Sequence, residues 1–154
     1  MPNAVISDAS CLIILTEIGS ASLLRAVFGS VITTPEIAAE VGFDLPNWIE
    51  IVSPTDLRIL DQMPTSIDHG EATAIALALE MVGSTLIIDD LSARNYAIRL
   101  GMQVTGTLGV LINAKLDGHI VSIKPYIEKI RNTNFRFSKT AERTAYVLAN
   151  EVDF

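Results

Sequence analysis

The chain has 154 residues, 49% of them apolar and 19% charged, with a formal net charge of −7. That length fits one domain, and that apolar content argues against a disordered chain. No apolar run approaches the roughly 20 residues of a membrane span, and no basic stretch leads into an apolar N-terminal segment of the secretory type.

One cysteine, Cys11 in the run CLIIL, cannot form an internal disulfide and reads as a small core residue. These features together predict a cytoplasmic protein. The charge is unevenly spread. Residues 1–93 hold 13 acids against Arg25 and Arg58, whereas residues 94–154 hold nine basic residues against five acids. An acidic centre beside a basic flank suits a nuclease, with carboxylates for cations and Lys/Arg for phosphates. An acidic protein with an uneven surface answers to the same numbers.

In chain order, Ala4–Ser7 predicts a short strand ending at Asp8, followed by helices over Ser10–Glu17 and Ser20–Phe28. A strand over Val31–Thr33 leads into Thr34-Pro35, a good N-cap and first helical residue, which open a helix stopping at Gly42. Trp48–Val52 reads as a strand, Asp56–Gln62 as a polar helix, and Ser66–Gly70 as a turn that holds His69 as a loop residue. Glu71–Val82 is an alanine-rich helix closed by Gly83, and Thr85–Ile88 an unalternating apolar strand, as expected when both sheet faces are covered. Then come a helix over Ser92–Leu100, a strand over Gln103–Thr105, and helices over Thr107–Leu116, Pro125–Arg131 and Lys139–Ala149. Strands alternating with helices imply an α/β fold, a parallel sheet flanked by helices. Ligand sites in such sheets form at the carboxyl ends of the strands.

The acids sit where that rule points. Asp8 follows the first strand, Asp89 and Asp90 follow the LII strand, Glu36 and Glu40 lie early in the helix after Val31–Thr33, and Glu71 opens the next. Clustered carboxylates repel and raise one another's pKa, and hard divalent ions that prefer oxygen would relieve the repulsion. One Cys and two His make no zinc site of the usual kind. Each acid also has an ordinary structural use. Glu36 suits a helix dipole, Glu71 stands three residues after Asp68 in a capping-box spacing, and one of Asp89 and Asp90 suits a cap of the next helix. Ser10 reads first as a cap, second as a neighbour of a metal; Thr105, Gly106 and Thr107 form either a turn or a site wall.

The segments VISDASCLI (5–13), TTPEIAAEV (33–41), HGEATAIALALE (69–80), LIIDDLSARNYA (86–97) and GTLGVLINAKLDGHI (106–120) together resemble the PIN-domain nucleases, specifically the DUF3368-like branch related to VapC-type toxins. The resemblance implies a PIN-like three-layer α/β/α fold over one domain, 1–154. It implies a Mg²⁺- or Mn²⁺-dependent ribonuclease acting on single-stranded RNA, in some relatives the toxin of a toxin–antitoxin pair. Asp8, Glu40, Glu71 and Asp90 match the family's acids, with Asp89 an extra neighbour and possible metal ligand. Glu71 departs from the usual Asp by one methylene. Arg94, by its place after the Asp pair, is a candidate for phosphate or for pairing with an acid, and Lys115 for the RNA backbone; ordinary solvation serves both. Apolar residues over 71–82 and 108–116 exceed what one core covers, which with the resemblance suggests a homodimer; an antitoxin is a further implied partner. Two other readings compete. One is a PIN-like module that binds a protein or RNA with little catalysis. The other is a receiver-like phosphoacceptor, in which the acid pair follows the first strand; here it comes late.

Overall fold

The computed structural model describes residues 3–151. Five parallel strands, β1 (Val5–Ser7), β2 (Val31–Thr33), β3 (Ile49–Ile51), β4 (Thr85–Ile87) and β5 (Gln103–Thr105), form one sheet in the order β3-β2-β1-β4-β5. Among the described residues eight α-helices flank it: α1 (Ala9–Glu17), α2 (Ser22–Phe28), α3 (Pro35–Val41), α4 (His69–Glu80), α5 (Leu91–Arg99), α6 (Thr107–Leu116), α7 (Lys124–Arg131) and α8 (Lys139–Leu148). This is a PIN-like α/β/α arrangement. The inner strands β1 and β2 are buried at every residue, whereas the edge strands β3 and β5 are not. Helices on both faces explain why the inner strands carry unbroken apolar runs.

The chain builds β1, β2 and β3 outward in one direction, then returns to place β4 on the other side of β1. The crossover direction therefore reverses between β1 and β4, the place where open α/β sheets leave a crevice. In register, Ser7 faces Ile87, and the Asp8 amide donates to the Ile87 carbonyl at 2.9 Å. Asp8 and the Asp89-Asp90 pair therefore leave the sheet side by side.

Several boundaries differ from the sequence expectation, each for a local reason. Helix α1 starts at Ala9 because Asp8 is its N-cap, accepting from the Cys11 amide at 3.0 Å. Ser10 is consequently a first-turn helical residue and not the cap. Helix α4 starts at His69 and not Glu71, because Asp68 caps it and Glu71 completes a capping box; His69 thus opens a helix and is not in a loop. Helix α2 starts at Ser22, and the expected polar helix over 56–62 is a short 3₁₀ segment, Arg58–Gln62. Helix α3 behaves as read: Thr34 caps it, Pro35 opens it and Gly42 closes it at φ 75°, a conformation that costs glycine nothing.

The apolar surplus expected over 71–82 is absorbed within the chain. Ala72 through Ala78 are all buried, as α4 packs on β1 and β4 and against α3. Val82, beyond the helix end, is 95% exposed. Cys11 is a free, fully buried core residue.

Candidate active site

Asp8 is 1% exposed, and both its oxygens are engaged by backbone. Oδ1 accepts from the Cys11 amide at 3.0 Å, which ties it to its own helix; Oδ2 accepts from the Asp89 amide at 2.9 Å, which ties β1 to the end of β4. Burial, then the Asp89 charge, push its pKa up to about 8, against the pull of those two N–H donors. The side chain is fixed in place yet electrostatically frustrated.

Asp89 is held as firmly. Its Oδ1 accepts from the Thr107 amide at 2.8 Å and its Oδ2 from the Thr107 hydroxyl at 2.6 Å. The Arg94 guanidinium donates to the Ile88 carbonyl at 3.0 and 3.2 Å and reaches Asp89 Oδ1 at 4.0 Å. Gly106 permits this approach, because a Cβ there would stand 2.2 Å from Arg94 Nη2 and 2.7 Å from Asp89 Oδ1. Asp90 is the N-cap of α5, with Oδ2 accepting from the Ala93 amide at 3.0 Å. The adjacent aspartates thus divide two tasks: Asp90 caps the helix, and Asp89 anchors β4 to the start of α6.

The remaining acids approach from α3 and α4. Glu71 Oε1 accepts from the Asp68 amide at 3.2 Å while Asp68 Oδ1 accepts from the Glu71 amide at 2.8 Å. Burial, then the Asp68 charge, raise the Glu71 pKa to about 7, with Asp90 adding to the rise. Glu40 is exposed, and burial of its carboxyl followed by the Asp68 charge shifts its pKa upward. Its Oε1 lies over the start of α4, where a Cβ on Gly70 would come within 2.7 Å of it.

Asp8, Ser10, Glu40, Asp68 and Glu71 line one cleft of about 20 Å³. That space suits a single water or ion. Asp90 adjoins it through its effect on Glu71, and Asp89 through Asp8. Of the expected acids, Asp8, Glu40 and Glu71 line the cleft itself, whereas Asp89 and Asp90 lie beside it and Glu36 is not part of it. The structure adds Asp68, which the sequence reading used only as a cap partner; the D-x-x-E spacing was visible, but not that the cap would face the other acids. Lys115 lies at the opposite end of α6 from Thr107, about 12 Å along the axis. It donates to the Ala149 carbonyl at 2.7 Å and pairs with Glu151 at 3.5 Å. Its ammonium thus fastens the C-terminal segment.

Carboxylate oxygens are the donors a hard divalent cation prefers, and burial first, then the neighbouring acids, raise the pKa values of Asp8 and Glu71, a cost that such a cation relieves. The donor chemistry fits. Among the described residues no three His, Cys, Asp or Glu side chains converge on one point as ligands. Asp8 and Asp89 are pinned, so convergence requires movement of Glu40, which is exposed, and of Glu71, which is half-buried and bonded to the Asp68 amide. Burial and the nearby acids push the Cys11 thiol well above its ordinary pKa, so it offers no thiolate nucleophile.

No curated protein and no solved structure matches the chain. No helix among the described residues is long and apolar enough to cross a membrane. A family model described as a PIN domain, DUF3368, matches residues 4–151. That span takes in all five strands and every acid of the cleft, and the chain belongs to this PIN-domain family, whose members are typically nucleases using divalent metal ions.

Proposed function

We propose that this chain is a Mg²⁺- or Mn²⁺-dependent endoribonuclease that hydrolyses phosphodiester bonds of single-stranded RNA. The observation that carries this reading is that three separate chain segments, 8–10, 37–40 and 68–71, line one carboxylate cleft at the sheet's switch point, with a fourth, the Asp89-Asp90 turn, bonded to Asp8. Asp8, Glu40, Glu71 and Asp90 would hold the cation, with Asp89 beside them. When bound, a divalent ion supplies a hydroxide nucleophile near neutral pH and neutralises charge on the phosphate. The chain's own residues do the positioning. Asp8 is immobilised by two amides, Thr107 locks Asp89, and the Asp68–Glu71 box orients the start of α4. Arg94 brings positive charge to the rim, within reach of a phosphate drawn to the cleft. No side chain need act as a covalent nucleophile.

The wider reading is a cytoplasmic, single-domain protein, a homodimer, and a candidate toxin restrained by an antitoxin. Cleavage of labelled single-stranded RNA with Mn²⁺, with Mg²⁺ and with EDTA tests the activity. Metal-dependent cleavage is expected, and Asp8→Asn should lower it by more than the roughly 10–100-fold that loss of a supporting partner costs. The lack of ligand convergence favours one alternative, a catalytically weak module binding RNA or protein. Absence of cleavage across many RNA sequences, with no Mn²⁺ bound by calorimetry, would select it.

A further inference from the structure

A groove of about 650 Å³ is lined at one point by Asp89, whose backbone amide donates to Asp8 of the carboxylate cleft. Leu108 and Ile112 of α6, and Phe135 and Phe137 of the segment before α8, give it an apolar lining, with Arg94 and Arg136 as its cations. The two phenylalanine rings meet edge to face, with centroids 4.9 Å apart and planes at 67°. Both rings are half-buried, packed against the hydrophobic core while also lining the groove, where their apolar surface is offered to a third ring. Asp89 is the acid in the lining, and its oxygens are already engaged by Thr107. The mechanism uses none of this surface except Arg94 and Asp89.

We propose that this groove is a nucleobase-binding subsite for single-stranded RNA, holding a base adjacent to the phosphate in the carboxylate cleft. The inference rests on the ribonuclease reading and names where that substrate would bind. Unpaired bases are held by aromatic faces and guanidinium planes, while cations track the backbone. The groove offers both, and Arg94 lines it 4.0 Å from Asp89 Oδ1, the acid whose amide is bonded to Asp8 of the cleft. Its volume is that of a small-ligand pocket, which suits a base better than a folded partner's face. Its cations complement a polyanion, whereas a second copy would bring another net charge of −7.

The test separates binding from cleavage by working in EDTA on the Asp8→Asn background. Fluorescence anisotropy would compare a short labelled single-stranded RNA with an abasic strand of the same length. The intact strand should bind more tightly, and Phe137→Ala should weaken it by about 5- to 150-fold while leaving the abasic strand unchanged. Thr144 is exposed and lines the same groove, so its replacement leaves the core intact. Thr144→Glu should weaken RNA binding and Thr144→Arg strengthen it. Equal binding of the intact and abasic strands, or Thr144 variants with unchanged affinity, would overturn the subsite whether or not the protein cleaves RNA. So would a Phe137→Ala change that alters sedimentation but not RNA affinity, which would assign the groove to a second copy.

Discussion

At the scale of single residues, the site depends on how few degrees of freedom its inner acids retain. Thr107 satisfies both oxygens of Asp89, one through its amide and one through its hydroxyl. Removing the hydroxyl leaves a buried carboxylate oxygen without its partner, which costs about 1–3 kcal/mol. Thr107→Ala should therefore lower stability by that amount in urea unfolding. It should also reduce RNA cleavage about 10–100-fold, the usual effect of losing a group that orients a metal-site acid. Thr107→Ser keeps the hydroxyl and should recover most of both. An unchanged cleavage rate in a destabilised Thr107→Ala protein would remove Asp89 from the machinery. The sequence showed Thr107 only as a small polar residue at a strand end. Its value lies in a bond across 18 residues, which local pattern does not encode.

At the scale of elements, the start of α4 serves two purposes at once. The Asp68–Glu71 box satisfies amides at the helix start, yet it sets two acids face to face with Glu40 and Asp90 nearby. Asparagine caps a helix about as well as aspartate. Asp68→Asn should therefore keep the melting temperature within about a degree and let the Glu71 carboxyl titrate below about 7, as followed by NMR. Asp68→Ala lacks the cap and should cost about 0.5–2 kcal/mol, or roughly 1–8 °C at 2–4 °C per kcal/mol. A Glu71 titration unmoved in Asp68→Asn would refute the Asp68 charge as a contributor to its shift beside burial. Local signals explain why so much of the fold was readable. Thr34-Pro35 and Gly42 mark α3 at both ends, and the unalternating apolar strand marks a covered sheet. At α1 and α4 the misread ends are those where an acid of the site is itself the cap. Asp8 and Asp68 each belong to two patterns, and assigning them to chemistry hid the helix starts they make.

At the scale of the whole molecule, the carboxylates link stability to pH. The folded-state pKa of Asp8 is raised from 3.8 to about 8 and that of Glu71 from 4.5 to about 7. The folded state consequently holds more protons than the unfolded chain between those limits, so stability falls as pH rises from about 4 to about 8. Thermal melts in EDTA should show that decline. Mg²⁺ or Mn²⁺, binding the folded state, should raise the melting temperature, and more so at pH 8 than at pH 5. A melting temperature independent of both pH and divalent ion would contradict the clustered-acid account. The placement of these acids at one edge was foreseeable from strand order alone; the missing part was β4 lying beside β1, since nothing local in the chain states which strands pair.

The bond from the Asp89 amide to Asp8 spans 81 positions of the chain. It makes the innermost acid a fastener of the sheet as well as a member of the cleft. A chain emerging from synthesis cannot assemble the cleft until β4 has docked beside β1, and Asp89 is not held until α6 has followed. The first hundred residues alone carry all the acids but not the lock on Asp89. Long-range closure of this kind slows folding. Until that closure is complete, the innermost acids of the site lack the bonds that hold them in place.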